Sequence, residues 1–455
     1  MFRVLSKSII FMFLFDMFIF ALSTAYWYDN LQLNDKFFMP VIVLTVLTGL
    51  FTLFLKSNYK IREFNNTKKN FYLLLEGTVF SQVPTVLLFM FVGLNLIFVK
   101  FIAINIITIF VALKLYRIFF HYYLFKIKPV KNILILGTNK NAQIIANEIN
   151  DKNALRMKVA GFVNDTDNQA ENNLNFKVFS STESLDEIIK NENISILITA
   201  IREETSEIAL TDTVKFTPRK VKLYTMYEFY EMITGKYYTD KKSVEELFTH
   251  YLKHRSIIYD ICKRIFDIVA ATIVLVVTLP ITLYIAIRVK LTDGGNVIYT
   301  QNRVGKGGKI FKAYKLRTMY SNDYVPTAKN IDKEDENISD DRIIPFCRFV
   351  RKARFDEIPQ MINILKGEMS IVAPRAEWDE LVNIYLKDVP FYSVRMWDKT
   401  GWTGWAQINQ GHCISSEDIA EKLQYDLYYL KYRNIFWEIM ILIKAVFLAV
   451  GGRHE

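Results

Sequence analysis

The sequence predicts a membrane α/β protein: four N-terminal transmembrane helices, a Rossmann-like domain, and a C-terminal α/β domain seated on a re-entrant membrane helix. Three observations predict it. Four apolar runs, each near the length that spans a bilayer, open the chain. From Lys131 onward, strands alternate with helices, the pattern of a parallel sheet. A fifth apolar segment is interrupted by Pro280 and carries basic residues at both ends. Composition agrees. Of 455 residues 51% are hydrophobic, with 35 Phe and 25 Tyr, and the mean hydropathy of +0.14 is too high for a purely soluble chain of this size.

The four runs are roughly Ile9–Tyr28, Phe37–Leu55, Phe71–Val92 and Leu94–Leu113, within a domain spanning 1–128. Arg3 and Lys7 precede the first, whereas Asp29, Asp35 and a lone Lys36 separate it from the second. Lys56, Lys60, Arg62, Lys68 and Lys69 fill the next connection, and Lys114, Arg117, Lys126, Lys128 and Lys131 follow the fourth run. The positive-inside rule then gives a cytoplasmic N-terminus, four crossings and a cytoplasmic remainder. No small-residue cleavage site ends the first run, so it reads as an anchor. Asp16, Glu76 and Lys100 are ionisable residues within these runs, where helix packing is the ordinary reading and function the sharper one.

A second domain, 129–235, follows. Asn132–Gly137 reads as a buried strand, Ala142–Asn150 as a helix, Val159–Val163 as a strand, Leu185–Asn191 as a helix and Ile194–Ala200 as another strand. A dinucleotide fingerprint wants three glycines after the first strand, and only Gly137 is present. The domain therefore reads as structural or regulatory.

Residues 236–262 form a linker in which a charged amphipathic helix, Ser243–Phe266, leads into the fifth apolar segment, 268–287. Lys263 and Arg264 stand before that segment, Arg288 and Lys290 after it. A full crossing would strand one basic end and carry everything beyond it out of the cytoplasm. Pro280 removes a helical hydrogen bond and crowds the preceding turn. A helix–break–helix that dips into one leaflet and returns satisfies both facts. A fifth span with a proline kink is the competing reading.

The last domain, 263–455, contains a basic hairpin over Asn296–Met319 with a Gly-rich turn at Gly305–Gly308, then a polar stretch, Ser321–Asp341, that reads as a mobile loop. Asp356 and Glu357 come next. Pro359 fits a first helical turn and Gly367 a C-terminal stop, so Pro359–Lys366 reads as a short helix with the two acids at its start, where carboxylates and phosphates are favoured. Neighbouring residues there do not face each other, which disfavours the paired carboxyls of a glycosidase. One carboxylate attacking phosphorus while the other holds a hard metal ion fits better, and an N-cap followed by a first-turn acid is the bland alternative. Ile435–Val450, interrupted by Glu438 and Lys444, reads as an interfacial helix.

A net charge of +10 suits nucleic acid or anionic lipid and phosphate ligands, and the membrane segments favour the second. Cys262, Cys347 and Cys413 are too scattered for a disulfide framework or a zinc site. His250 and His254 are helically spaced but lack further ligands.

Lys263–Asp267, Gln301–Met319, Arg351–Gln360, Leu365–Ser370, Pro374–Glu377 and Thr403–Gln407, in that order, resemble the bacterial sugar transferases, the monotopic-type polyprenyl-phosphate hexose-1-phosphate transferases. The likeness runs over about the last 190 residues, and the four-helix start with a degenerate nucleotide fold looks like the family's large members. The resemblance implies transfer of a sugar-1-phosphate from a UDP-sugar to undecaprenyl phosphate at the cytoplasmic membrane face, with release of UMP. It implies Asp356 as nucleophile, Glu357 as the ligand of Mg²⁺, Arg351 and Arg375 as phosphate contacts, and Pro280 as the turn of the re-entrant helix. Arg303, Lys315 and Arg317 are further candidates for the phosphates, or else strand charges facing lipid headgroups. Ala373, Ala376, Thr400 and Gln410–His412 depart from the family pattern. Glucose or galactose is the expected sugar, no nucleic acid is expected, and a homo-oligomer stays open.

Two other classes compete. A membrane-anchored NAD-dependent nucleotide-sugar dehydratase would use Tyr238 and Lys242, but it needs the glycines missing beside Gly137. A non-enzymatic scaffold for polysaccharide export would not depend on Asp356.

Overall fold

The structure, a computed structural model, describes residues 2–33, 35–55, 67–93, 95–123, 129–151, 156–164, 176–180, 185–200, 221–253, 256–320, 343–411 and 415–451. The expected loop at 321–341, His254 and Cys413 lie outside these. The chain divides into two compact units, Met1–Thr234 and Gly235–Glu455.

In the first unit, apolar helices occupy Phe2–Asn30, Phe38–Leu55, Thr67–Ser81, Val83–Val92 and Leu96–Tyr122. Phe11–Asn30, Asn70–Phe91 and Leu96–Tyr122 are long and apolar enough to cross a membrane, whereas Phe38–Leu53 is shorter. The third expected run is broken at Gln82, because Pro84 begins a new helix where its missing N–H costs nothing. The fourth continues beyond Leu113 to Tyr122. Arg117 is therefore not a loop charge, as the sequence reading has it. It is buried and pairs with Asp16, Nη2 to Oδ2 at 2.5 Å. Nearby, the Asn105 side chain accepts from Ser23 Oγ (2.7 Å) and donates to Thr24 Oγ1 (3.1 Å) and Gln82 Oε1 (3.4 Å). Polar groups inside an apolar bundle need such partners, since water cannot supply them.

The same unit holds five strands, β1 (Lys131–Leu136), β2 (Met157–Val163), β3 (Val178–Phe179), β4 (Ile194–Thr199) and β5 (Lys222–Thr225), all parallel in the order β3-β2-β1-β4-β5. β1 is central and apolar on both faces, as a strand covered on both sides must be. Asn139 closes the turn after it, accepting from Ala142 N at 3.0 Å and donating to the Ala200 carbonyl.

The second unit is built on a helix from Ile257 to Asp293, capped by Ser256, whose hydroxyl accepts from Tyr259 N at 3.3 Å. That cap ends the amphipathic helix the sequence reading ran through to Phe266; the preceding helix is Lys241–Lys253. The Ile257–Asp293 backbone is helical through Pro280, without the break that the sequence predicts there. Both of its flanks pack on this one unit. Before Pro280, Arg264 donates to the Ile364 and Leu365 carbonyls (2.6 and 2.7 Å), and Asp267 Oδ1 accepts from Ser370 Oγ and Ile371 N (both 3.0 Å). After it, Ile285 and Val289 join a core with Leu316, Ile344 and Val350. Between these anchors Ile273, Val276, Val277, Leu279, Ile281 and Leu283 are exposed.

β6 (Ile298–Val304) and β7 (Ile310–Leu316) form the antiparallel hairpin that the sequence predicts. Short helices at Cys347–Lys352 and Gln360–Lys366 follow, then β8 (Met369–Val372) paired in parallel with β9 (Thr400–Thr403). Helices Ser416–Tyr432 and Ile435–Gly451 close the unit. Glu438, read from sequence as a polar break in an interfacial helix, is buried. It accepts from Lys263 Nζ (2.6 Å), Tyr259 Oη (2.8 Å) and Tyr429 Oη (2.5 Å).

Candidate active site

Local chain geometry sets the acidic pair apart from its neighbours. Arg354 adopts a left-handed backbone, φ 56°, a conformation uncommon for a residue with a Cβ. A tight 3-10 turn, Phe355–Glu357, follows directly. The pair therefore sits in this turn, ahead of the Gln360–Lys366 helix rather than in its first turn. That helix stops at Gly367, φ 86°, as the sequence predicts. Its Asn363, fully buried, donates to Lys312 O (2.8 Å) and accepts from Tyr314 N (3.1 Å), so one amide completes the free edge of β7. This bond fixes the turn against the hairpin.

The hairpin register then decides which basic residues reach the pair. Tyr299 opposes Lys315, Gln301 opposes Ala313, and Arg303 opposes Phe311, which places Arg303, Ala313 and Lys315 on one face. Lys315 Nζ lies 3.5 Å from Glu357 Oε1. Arg303 and Ala313 line a small cleft together with Gln360, Arg375, Ala376 and Gly401. Arg375 Nη2 donates to Glu357 Oε1 at 2.7 Å. Gly401 and Gly404 let β9 lie against the Ala373–Pro374 backbone, where an added Cβ would collide with Ala373.

Arg317 goes elsewhere. It continues past the strand end and donates to Asp293 Oδ1 (2.5 Å) and to the Asn296 carbonyl (2.6 Å), tying down the end of the long helix. These bonds hold its guanidinium at the end of that helix, and none of them joins it to Glu357. Arg351, in the Cys347–Lys352 helix, bears on Asp356 through its charge. Pro280 lies on the exposed apolar stretch between the two anchors.

The two carboxyls have opposite electrostatics. Burial alone would raise Glu357, but Arg375, then Lys315 and Arg354, override it and hold the carboxyl well below the ordinary range. Asp356 is pushed up to about 6, chiefly by burial and further by Glu357, against the pull of Lys315 and Arg351. Among the described residues no side chain hydrogen-bonds Asp356, which keeps part of its surface open. One acid is clamped and charged; the other is unencumbered. Among the described residues no group of three or more metal-ligating side chains exists. A hard ion sharing one or two carboxylates with substrate phosphates needs no such group, and the contacts of Glu357 with Arg375 and Lys315 both fall on Oε1. The donor set fits Mg²⁺ on those terms.

Behind the cleft lies a buried charge cluster that the sequence reading missed. Glu377 pairs with Lys422, and Arg395 with Asp426 (2.8 Å). Burial would raise Glu377, but Lys422 and then Arg395 hold it near 2. The available signal was Asp426, a lone acid within Tyr425–Leu430, a run otherwise of Tyr and Leu.

A family model described as bacterial sugar transferase matches residues 258–452. The chain is similar to UDP-N-acetylgalactosamine-undecaprenyl-phosphate N-acetylgalactosaminephosphotransferase of Aeromonas hydrophila, 33% identical over 232 residues, covering 51% of this chain and 53% of that protein. It is also similar to UDP-glucose:undecaprenyl-phosphate glucose-1-phosphate transferases of Escherichia coli (36%; 41% of this chain, 39% of that protein) and Caulobacter vibrioides (31%; 41% and 69%). The match spans about half of the Aeromonas protein and two fifths of the Escherichia coli protein. The family match covers the stretch that holds the site, and with the Caulobacter relative covered over 69% of its length the chain belongs to the bacterial sugar transferase family.

Proposed function

We propose that the protein transfers a sugar-1-phosphate from a UDP-sugar to undecaprenyl phosphate, releasing UMP, through a covalent intermediate on Asp356. The observation that carries this reading is the unequal pair: Glu357 neutralised by Arg375 and Lys315, Asp356 free beside it, and a cleft walled by Arg303 and Arg375. The relatives' names differ in the sugar and share undecaprenyl phosphate, which supports the acceptor and leaves the sugar undecided between glucose, galactose and N-acetylgalactosamine.

In the first step an Asp356 oxygen attacks the β-phosphorus, the bond to the bridging oxygen breaks, and UMP leaves. In the second, an oxygen of undecaprenyl phosphate attacks the same phosphorus and Asp356 departs as carboxylate. One activated phosphoryl linkage replaces another, so neither step is steeply uphill. Arg375 and Arg303 stabilise charge on the phosphoryl oxygens, and Lys315 keeps Asp356 ionised. Mg²⁺ on Glu357 would supply further neutralisation of the diphosphate.

We further propose that the Ile257–Asp293 helix is re-entrant, turning at Pro280. At about 1.5 Å per residue its 37 residues would reach roughly 55 Å if straight. Its two flanks nonetheless hold the same folded unit, and a crossing would put them on opposite sides of the bilayer. The exposed apolar middle is then the part immersed in lipid, with the catalytic unit on the cytoplasmic face.

Purified protein incubated with a panel of UDP-sugars and undecaprenyl phosphate, with UMP as readout, tests the reaction. Asp356→Asn should cut UMP release by roughly 10³-fold or more. Undiminished turnover in that variant removes the nucleophile assignment and returns the non-enzymatic scaffold to consideration.

A further inference from the structure

The segment that carries Arg375 is pinned at three successive carbonyls. Pro374 O accepts from Gly401 N (2.7 Å), Arg375 O from Arg395 Nη2 (2.9 Å), and Ala376 O from Arg303 Nη1 (2.9 Å). Gly401 and Arg303 line the cleft themselves, whereas Arg395 does not; it is buried behind it. All three of its nitrogens are engaged. Nε and Nη2 both reach Asp426 Oδ2 (2.9 and 2.8 Å), and Nη1 donates to the Tyr392 hydroxyl (2.8 Å). A buried charge this completely bonded has one geometry, so the carbonyl it holds has one position.

We propose that Arg395, anchored by Asp426, is a positioning residue that fixes the Arg375 backbone so that the Arg375 side chain meets Glu357. The relay runs from Asp426 through Arg395 and the Arg375 carbonyl to the Arg375–Glu357 ion pair. It uses no contact with substrate. It rests on the transferase reading only in naming what the clamped Glu357 and the cleft are for. Lysine in place of Arg395 keeps the charge but cannot reach Asp426, Tyr392 and the carbonyl together, because it lacks the planar fork.

A cycle of unfolding midpoints tests the relay without any turnover, using the full-length protein with Arg395→Lys, Glu357→Gln and the pair combined. The expected result is non-additivity: Arg395→Lys lowers the midpoint less in the Glu357→Gln background, because no carboxylate remains for Arg375 to meet. Strictly additive losses overturn the proposal and leave Arg395 as a packing residue. A UMP-release assay adds a readout that packing alone does not move. Arg395→Lys should raise KM for the UDP-sugar about tenfold with a smaller change in kcat; an unmoved KM counts against the relay. Should Arg395→Lys fail to fold, Asp426→Asn, which keeps the shape of the anchor and weakens it, takes its place in the same cycle. If the wild-type protein releases no UMP from any UDP-sugar, the transferase reading fails, while the midpoint cycle still decides the relay.

Discussion

Replacing Arg375 with Met keeps an apolar stem and removes the strongest partner of Glu357. Taking one member from a buried ion pair costs about 3–5 kcal/mol, since the other charge is left without compensation. Two features reduce that here. Lys315 stays 3.5 Å from the same oxygen, and the Arg375 side chain is 24% exposed, so water screens part of the attraction. About 1–2 kcal/mol should remain after that discount. In a folded unit of this size each kcal/mol moves the midpoint by about 2–4 °C, giving a fall of about 2–8 °C at neutral pH. The sign with pH follows from the depressed Glu357 carboxyl. Its contribution to stability is complete above the unfolded value of about 4.5 and fades as pH falls toward the lower folded value. The gap between wild type and Arg375→Met should therefore be widest near pH 7 and shrink below about pH 4.5. Thermal unfolding in detergent at pH 7 and pH 4 measures both. An unchanged midpoint, or a gap as wide at pH 4 as at pH 7, refutes the clamp.

Three further outcomes are expected. Because Asp356 must be ionised to attack and is raised to about 6, kcat/KM should climb as pH rises through that value, and Lys315→Met, which removes the foremost influence lowering it, should move the limb to higher pH. Arg317→Gln should cost about 1–3 kcal/mol of stability through Asp293 while changing kcat less than about threefold; a selective loss of kcat would return Arg317 to the site. With Cys262 and Cys413 replaced, Lys253→Cys and Thr292→Cys should react with a membrane-impermeant thiol reagent from the same side of sealed vesicles. Labelling from opposite sides would make the Pro280 helix a full crossing.

Short-range features were legible in the sequence because their causes are local. Gly367 ends its helix, Gly305–Gly308 turns the hairpin, and apolar β1 lies inside its sheet. The acidic pair and its basic company were legible for the same reason. What the sequence hid were pairings across long stretches of chain. Arg117 looks like one more charge in a basic connection until the helix is seen to continue and bring it to Asp16. Glu438 looks like a blemish on an apolar helix until Lys263, Tyr259 and Tyr429 converge on it. Arg317 and Lys315 stand two apart in the sequence, yet the strand ends between them, and only Lys315 is aimed at Glu357. Arg395 carries no local mark at all, since its role exists only where separate elements meet.

The bond joining Asp16 to Arg117 makes the first and last helices of the N-terminal bundle mutually dependent. A chain cut between them would take the Asp16 carboxylate away from a buried guanidinium, a loss that opposes insertion. The bundle is in that sense indivisible, and would be gained or shed as a single cassette rather than trimmed helix by helix.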